Sequence, residues 1–285
     1  MSNVLIGVNN TIDFATLTAY GSWLSSLPID NIKNRVLGVV ARSTNATTAS
    51  TKFRIDLGAS YPVRVLALCN HNMSSSATVK VTAYSDAYTT SVYTSGFVSA
   101  WPDSFEASRT GWDNPSSSTR TYVTKEKENL SFNHIQIISP GVSQRYFQVE
   151  ISDTSNADGY VQIGRVFIGP AWTPQYNFDF GVSVSIEDPT EIKTALSGTE
   201  YFYVKPPFRV AKFTLNNLAD NEAYQSVFEF FRRSGVSQEV VFIYDSADTI
   251  HKLRRSFLGR FRNSGFIEYV NAAQYKAEFE IKEII

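Results

Sequence analysis

The chain has 285 residues, with 26 Lys and Arg against 27 Asp and Glu, three His and one Cys. That length supports a substantial core and one or two domains of roughly 100–200 residues each. A net charge of −1 gives no global field for nucleic acid or an anionic membrane, and the single Cys69 excludes an intramolecular disulfide and any CxxC metal site.

The opening residues, Met1 to Asn10, lack the basic start and long apolar core of a signal peptide. No stretch approaches the roughly 18 apolar residues of a membrane span. Folding in a cytoplasm without membrane insertion is therefore expected. Phe 20, Tyr 15 and Trp 4 against Met 2 favour pleated surfaces, and Ser/Thr/Asn clusters punctuate the chain. The combination predicts a mainly β protein.

In chain order, Lys52–Leu57 alternates apolar Phe53, Ile55 and Leu57 with charged neighbours, the pattern of a half-buried strand. Val63–Cys69 is almost continuously apolar, as for a strand covered on both faces. A polar loop from Asn70 to Ser76 leads to a strand at Thr78–Tyr84. The stretch from Thr90 to Asn129 carries Trp101, Trp112 and two prolines and reads as long excursions. Strands follow at His134–Ile138, Tyr146–Ile151 and Val161–Ile168, a density that predicts a sandwich or jelly roll.

Gly169-Pro170 and Pro174 mark the best boundary, giving domains 1–170 and 171–285. Charge does not separate them: 13 basic and 12 acidic residues lie before the boundary, 13 and 15 after it. In the second part Val182 to Ile186, Phe202 to Val204 and Phe213 to Leu215 read as strands. Asp220 is placed to cap a helix whose apolar face is Ala223, Tyr224, Val227, Phe228 and Phe231, with Gly235 as its stop. A buried strand at Glu239–Tyr244 and a terminal strand alternating through Tyr275, Ala277, Phe279 and Ile281 complete a small α+β domain.

Chemistry-bearing motifs are sparse. HExxH, GxSxG, GxxxxGKS/T and GxGxxG do not occur, so no catalytic residue and no cofactor is implied. Cys69 inside an apolar strand reads as a buried inert thiol. Asp103, Glu106 and Asp113 sit in aromatic-rich loops, where solvated charges are the simpler reading than a glycosidase pair. The Asp153 to Gly159 loop has the oxygen-rich look of a cation site, with Asp153 and Asp158 as candidates, but it misses the calcium-loop register and also suits a hairpin turn. Trp101, Trp112 and His71 are the candidates for contacting a sugar. Arg254, Arg255, Arg260 and Arg262, beside Lys252, form a basic stretch in an acidic domain. That suits contact with a neighbouring subunit better than with nucleic acid, with intradomain ion pairing as the alternative.

Two segments carry a resemblance. Lys52 to Gly58 followed by Val63–Leu68, and Arg145 to Ile151 followed by Gly159 to Gly169, resemble the opening and closing strands of galactose-binding-like (discoidin-type) jelly rolls. Leu66 to Asn72 is similar to a form of this module in bacteriophage tail proteins. The C-terminal part, with its helix, its Arg255–Arg260 segment and its ending Glu280-Ile281-Lys282-Glu283, resembles distal tail and baseplate proteins, although in those the ring-forming domain comes first. The resemblance implies a non-enzymatic component of a phage tail tip, made in the host bacterial cytoplasm and working in the virion. It implies a homo-oligomeric ring that contacts tail tube, hub and tape-measure end. A carbohydrate-binding module acting on host-surface polysaccharide is the alternative, and a glycan-cleaving enzyme a second one.

Overall fold

The structure, a computed structural model, describes residues 2–102, 131–263, 265–271 and 274–285. Its first strand, β1 (Leu5–Gly7), is buried throughout. The chain then enters a β-sandwich through a tight helical turn at Thr11–Phe14, β2 (Thr16–Thr18), a second tight turn at Ile29–Lys33 and β3 (Ala41–Arg42). The sandwich continues with β4 (Phe53–His71), β5 (Thr78–Tyr84), β6 (Ser91–Thr94), β7 (Val98–Ser99), β8 (Asn133–Ser152) and β9 (Gln162–Gly169).

Two long bent strands frame it. β4 pairs antiparallel with β8 from Phe53 opposite Val149 to Cys69 opposite Asn133, with register shifts between Asp56 and Tyr61 and between Val63 and Val65. Such irregularities bend a strand pair, and Gly58, at φ +79°, carries β4 through the turn in a conformation that only glycine adopts freely. One half of the pair carries β2 and β5, the other β9. Phe53 and Ile55 from one half of β4 thereby share a core with Leu66 and Leu68 from the other. The segments read as separate strands in the sequence, 52–57 with 63–69 and 134–138 with 146–151, are each one continuous strand.

The apolar run at 63–69 is covered on both faces, as its composition predicts. Leu66 and Leu68 face the sandwich core, while Val65, Ala67 and Cys69 join a second cluster with Leu5, Phe167, Val241, Ile243 and Leu258. That second cluster is where the sandwich lies against another sheet.

The other sheet is built from β10 (Ala171–Trp172), β11 (Ser183–Glu187), β14 (Phe208–Ala219), β15 (Val240–Ile243), β16 (Phe257–Phe261), β17 (Ile267–Asn271) and β18 (Gln274–Glu283), and from β1. Its order is β10-β1-β15-β16-β18-β14-β11, with β17 also paired to β18. Between β11 and β14 the chain forms a separate two-stranded ribbon, β12 (Glu191–Thr194) and β13 (Glu200–Tyr203). The fold class read from the sequence stands: a β-sandwich plus a small α+β unit with its main helix on a sheet.

The division at residue 170 needs correction. β1 pairs with β10 through Ile6–Trp172 and Gly7–Ala171, and with β15 through Leu5–Ile243. The first strand therefore belongs to the second sheet, and the sandwich is an insertion between two adjacent antiparallel strands. A three-residue strand has too little pattern to announce its sheet.

The helix also differs from its expected face. Glu222–Phe228 is wound in wide π turns before α1 (Glu229–Ser234) resumes ordinary α geometry, and the wider turns rotate the apolar stripe. Ala223 and Val227 are buried, whereas Tyr224 and Phe228 are each 49% exposed. Phe231 packs on Phe261 and Phe279. Asp220 lies in the first helical turn, and its carboxylate accepts a hydrogen bond from Tyr275, whose phenol pKa is pushed up to about 12. Gly235 stops the helix at φ +48°, its amide donating to the Phe231 carbonyl. No helix among the described residues is long and apolar enough to cross a membrane.

Candidate functional site

Trp101 and His71 lie inside the sandwich, which corrects their expected role. Trp101 is 6% exposed, its indole N–H donates to the Met73 carbonyl at 3.0 Å, and its ring meets His71 and Phe132 edge to face. His71 is buried and its Nδ1 accepts the Met73 amide at 3.2 Å. Rings packed in this way close the end of a core and present no free face for a sugar to stack on. Trp112 lies outside the described residues, as do Asp103, Glu106 and Asp113.

The oxygen-rich loop is tied down by hydrogen bonds. The Asp153 carboxylate accepts from the Ser74 amide at 2.9 Å, from the Ser74 hydroxyl and from Asn156 at 2.8 Å, and Asp158 accepts from Asn72 at 2.9 Å. Donors occupy the oxygens a cation would need. Among the described residues no group of three or more His, Cys, Asp or Glu is placed to hold a metal. Burial pushes the Cys69 thiol far above its ordinary range, which keeps it protonated and unreactive.

The basic stretch is dispersed rather than gathered. A short helix, α2 (Lys252–Arg255), inserts Leu253 into the sandwich core. The Lys252 amine donates to the Ile135 carbonyl at 2.7 Å, and burial lowers its pKa to about 8. Arg255 pairs with Asp248, its Nε donating at 3.0 Å. Arg262 bridges Glu187 at 2.7 Å and Glu280 at 3.1 Å. Arg254 is half-buried, and Arg260 is exposed without an ion pair among the described residues. For Arg255 and Arg262 the intradomain alternative therefore holds.

Two other arginines, which sequence reasoning missed, clamp the sandwich to the second body. Arg165 of β9 is completely buried. Its Nε donates to Glu239 at 2.9 Å, its Nη2 to Asp13 at 2.6 Å and its Nη1 to the Lys33 carbonyl. Arg209 of β14 donates through Nε to Glu283 at 2.9 Å and through Nη2 to Ser131 at 2.7 Å. A lone arginine inside the apolar run Val161–Ile168 was the available signal, since an unpaired guanidinium is not tolerated there.

A further exposed feature is the β12–β13 ribbon. All eight strand residues are exposed. Side chains of a strand alternate between faces, so Tyr201 and Tyr203 project on one side, Phe202 and its cross-strand partner Ile192 on the other. Leu196 at the turn and Val204 just after β13 are exposed as well, as are Phe180 and Ile186 elsewhere in the second body. An isolated two-stranded ribbon is marginal in water, and this one leaves apolar side chains exposed on both faces beside Glu191 and Lys193.

No family model matches the chain, and no curated protein matches it. Among solved structures it is similar to CBM32-1 from a family 31 glycoside hydrolase of Clostridium perfringens, at 14% identity over 57% of this chain and 98% of that one, with a TM-score of 0.37. It is also similar to the lectin domain of lectinolysin complexed with Lewis B antigen, at 14% identity over 57% and 96%, TM-score 0.36. A third is the family 32 CBM from Clostridium perfringens NanJ in complex with galactose, at 10% identity over 59% and 99%, TM-score 0.38. Likeness at this level assigns no function.

Proposed function

We propose that this chain is a non-catalytic adsorption component of a bacteriophage tail tip or baseplate. In this reading the inserted sandwich is a carbohydrate-binding module for host-surface polysaccharide, and the second body joins further copies and tail proteins in a closed ring. The observation that carries it is the β12–β13 ribbon, whose exposed Ile192, Tyr201, Phe202 and Tyr203 side chains lie away from the chain's own core. The insertion topology supports it as well. A module that leaves and re-enters its host sheet at Gly7 and Ala171 can be gained without disturbing that sheet. The resemblance of both parts to phage tail proteins supplies the setting, and rotational symmetry is the usual way identical copies close.

The test is sedimentation of the full chain, alone and with co-expressed tail proteins, compared with a Tyr201→Ser/Phe202→Ser double variant. Both side chains are exposed, so the melting temperature should stay within about 2 °C, a surface-substitution effect. Association should weaken at least tenfold. A wild-type chain that is monomeric at high concentration and retains no tail protein overturns the reading, as does assembly indifferent to the double variant.

A further inference from the structure

We infer that a saccharide binds in the seam between the sandwich and the second body, at a cleft walled by Phe14, Tyr61, Arg35, Asn9, Arg233 and Gln238. This rests on the carbohydrate half of the proposed function and names its site. The cleft opens where the chain crosses between the bodies, beside Asn9 and Pro170, and its volume is about 450 Å³. Small-ligand sites usually span roughly 300–1,000 Å³.

Both kinds of group that a sugar needs converge there. Phe14 ends the tight turn at Thr11–Phe14 and is 85% exposed, and Tyr61, at the bend of β4, is 40% exposed. An aromatic ring left in water beside a cleft offers a flat apolar face, the partner for the C–H face of a pyranose. The polar side is preorganised. Arg35 Nη2 donates to Asp13 at 3.0 Å and to Gln238 at 2.9 Å, which holds its guanidinium across the seam. Its Nε and Nη1 have no partner among the described residues. Arg233, which also lines the cleft, spends only its Nε on Glu229, at 2.8 Å. The Asn9 side-chain amide makes no hydrogen bond among the described residues.

The balance of groups selects the ligand class. A purely apolar ligand would cover guanidinium donors without satisfying them, which is unfavourable. A compact anion would leave both aromatic faces unused. A hydroxyl-rimmed ring with one apolar face uses both, and the remaining guanidinium donors of Arg35 and Arg233 favour a ring bearing a carboxylate, met by single charge-assisted hydrogen bonds at Arg35.

The experiment uses the full chain on an immobilised panel of neutral hexose and N-acetylhexosamine oligosaccharides and of uronate-containing oligosaccharides. Any retained glycan is then titrated in solution. Retention of at least one glycan is expected, weakened tenfold or more by Phe14→Ala and by Tyr61→Ala with the melting temperature unchanged. Arg35→Gln should weaken uronate-containing glycans more than neutral ones. Glycan retention that survives both aromatic substitutions overturns the seam site while leaving the carbohydrate reading standing. A wild-type chain that retains nothing overturns both. If Phe14→Ala instead dissociates the oligomer in sedimentation, the cleft is a contact between copies and the saccharide site falls.

Discussion

At the scale of single residues, the ionisable groups that matter most are those taken out of water. Arg165 holds Glu239 and Asp13 at the seam, and cutting it to alanine strands the Glu239 carboxylate in the interior. Arg165→Ala should destabilise the chain by about 3–5 kcal/mol, the usual penalty for removing one partner of a buried pair, as read by urea denaturation. His134 behaves differently. It is buried, its Nδ1 faces the Ala100 carbonyl at 3.1 Å, and burial with the nearby Lys252 charge lowers its pKa to about 4. The unfolded chain takes up a proton near pH 6.5 that the folded one refuses until about pH 4. The sign is then fixed: stability from this group is fully present above pH 6.5 and is lost as pH falls toward 4, by roughly 3 kcal/mol. His134→Gln should flatten that part of the pH profile when denaturation midpoints at pH 7 and pH 4.5 are compared with wild type. Nothing in the sequence separates His134 from His251, which is exposed. The difference is burial, which a single histidine in a run of mixed residues does not announce.

Among the elements, the helix gives the sharpest contrast. Phe228, half exposed after the π turns, should cost less than about 1 kcal/mol on truncation to alanine, whereas the smaller but buried Val227 should cost about 1–3 kcal/mol. Melting of the two variants side by side checks the order, and a more damaging Phe228→Ala would contradict the rotated face. The 3.6-residue spacing of Tyr224, Val227, Phe228 and Phe231 was legible, and so was the stop at Gly235. The rotation was not, because a π turn is set by packing against the sheet rather than by a residue motif. Strands were read well where alternation or a long apolar run marked them, as at Thr78–Tyr84 and Gln274–Glu283. They were missed where a strand is two or three residues long, as at β1, β3 and β10, and where a short, mostly polar strand lies wholly in solvent, as at β12. The seam cleft was likewise hidden, since Phe14 and Tyr61 stand far apart in sequence and meet only through the bend of β4.

For the molecule as a whole, the cluster of Leu5, Val65, Ala67, Cys69, Phe167, Val241 and Leu258 is shared by sandwich and second body. Neither half can open without exposing it. Calorimetry of the full chain should therefore show a single cooperative transition, and two well-separated transitions would show that the seam contributes little. Replacing the sandwich by a two-residue turn between Gly7 and Ala171 should yield a second body that self-associates or loses its sharp melting, because Leu5, Val241, Ile243 and Leu258 would then face water. The sequence pointed to the sandwich and to its exit at Gly169-Pro170, because breakers punctuate a strand end. Its entry at Val8 was not read, because the strand before it is only three residues long, although Gly7 and Asn9-Asn10 flank the crossing.

The pairing of β1 with β15 sets a timetable for synthesis. Leu5, Ile6 and Gly7 leave the ribosome long before their partners Ile243, Phe242 and Val241, which emerge only after all the intervening chain. At roughly 5–20 residues per second that is a wait on the order of ten seconds or more, long enough for the sandwich to fold while this short apolar segment hangs unpaired. The seam can close only once Val241, Ile243 and Leu258 have emerged. The sandwich face that carries Val65, Ala67 and Phe167 must stay soluble until then, which makes the nascent chain, rather than the finished protein, the state most exposed to aggregation and most dependent on chaperones.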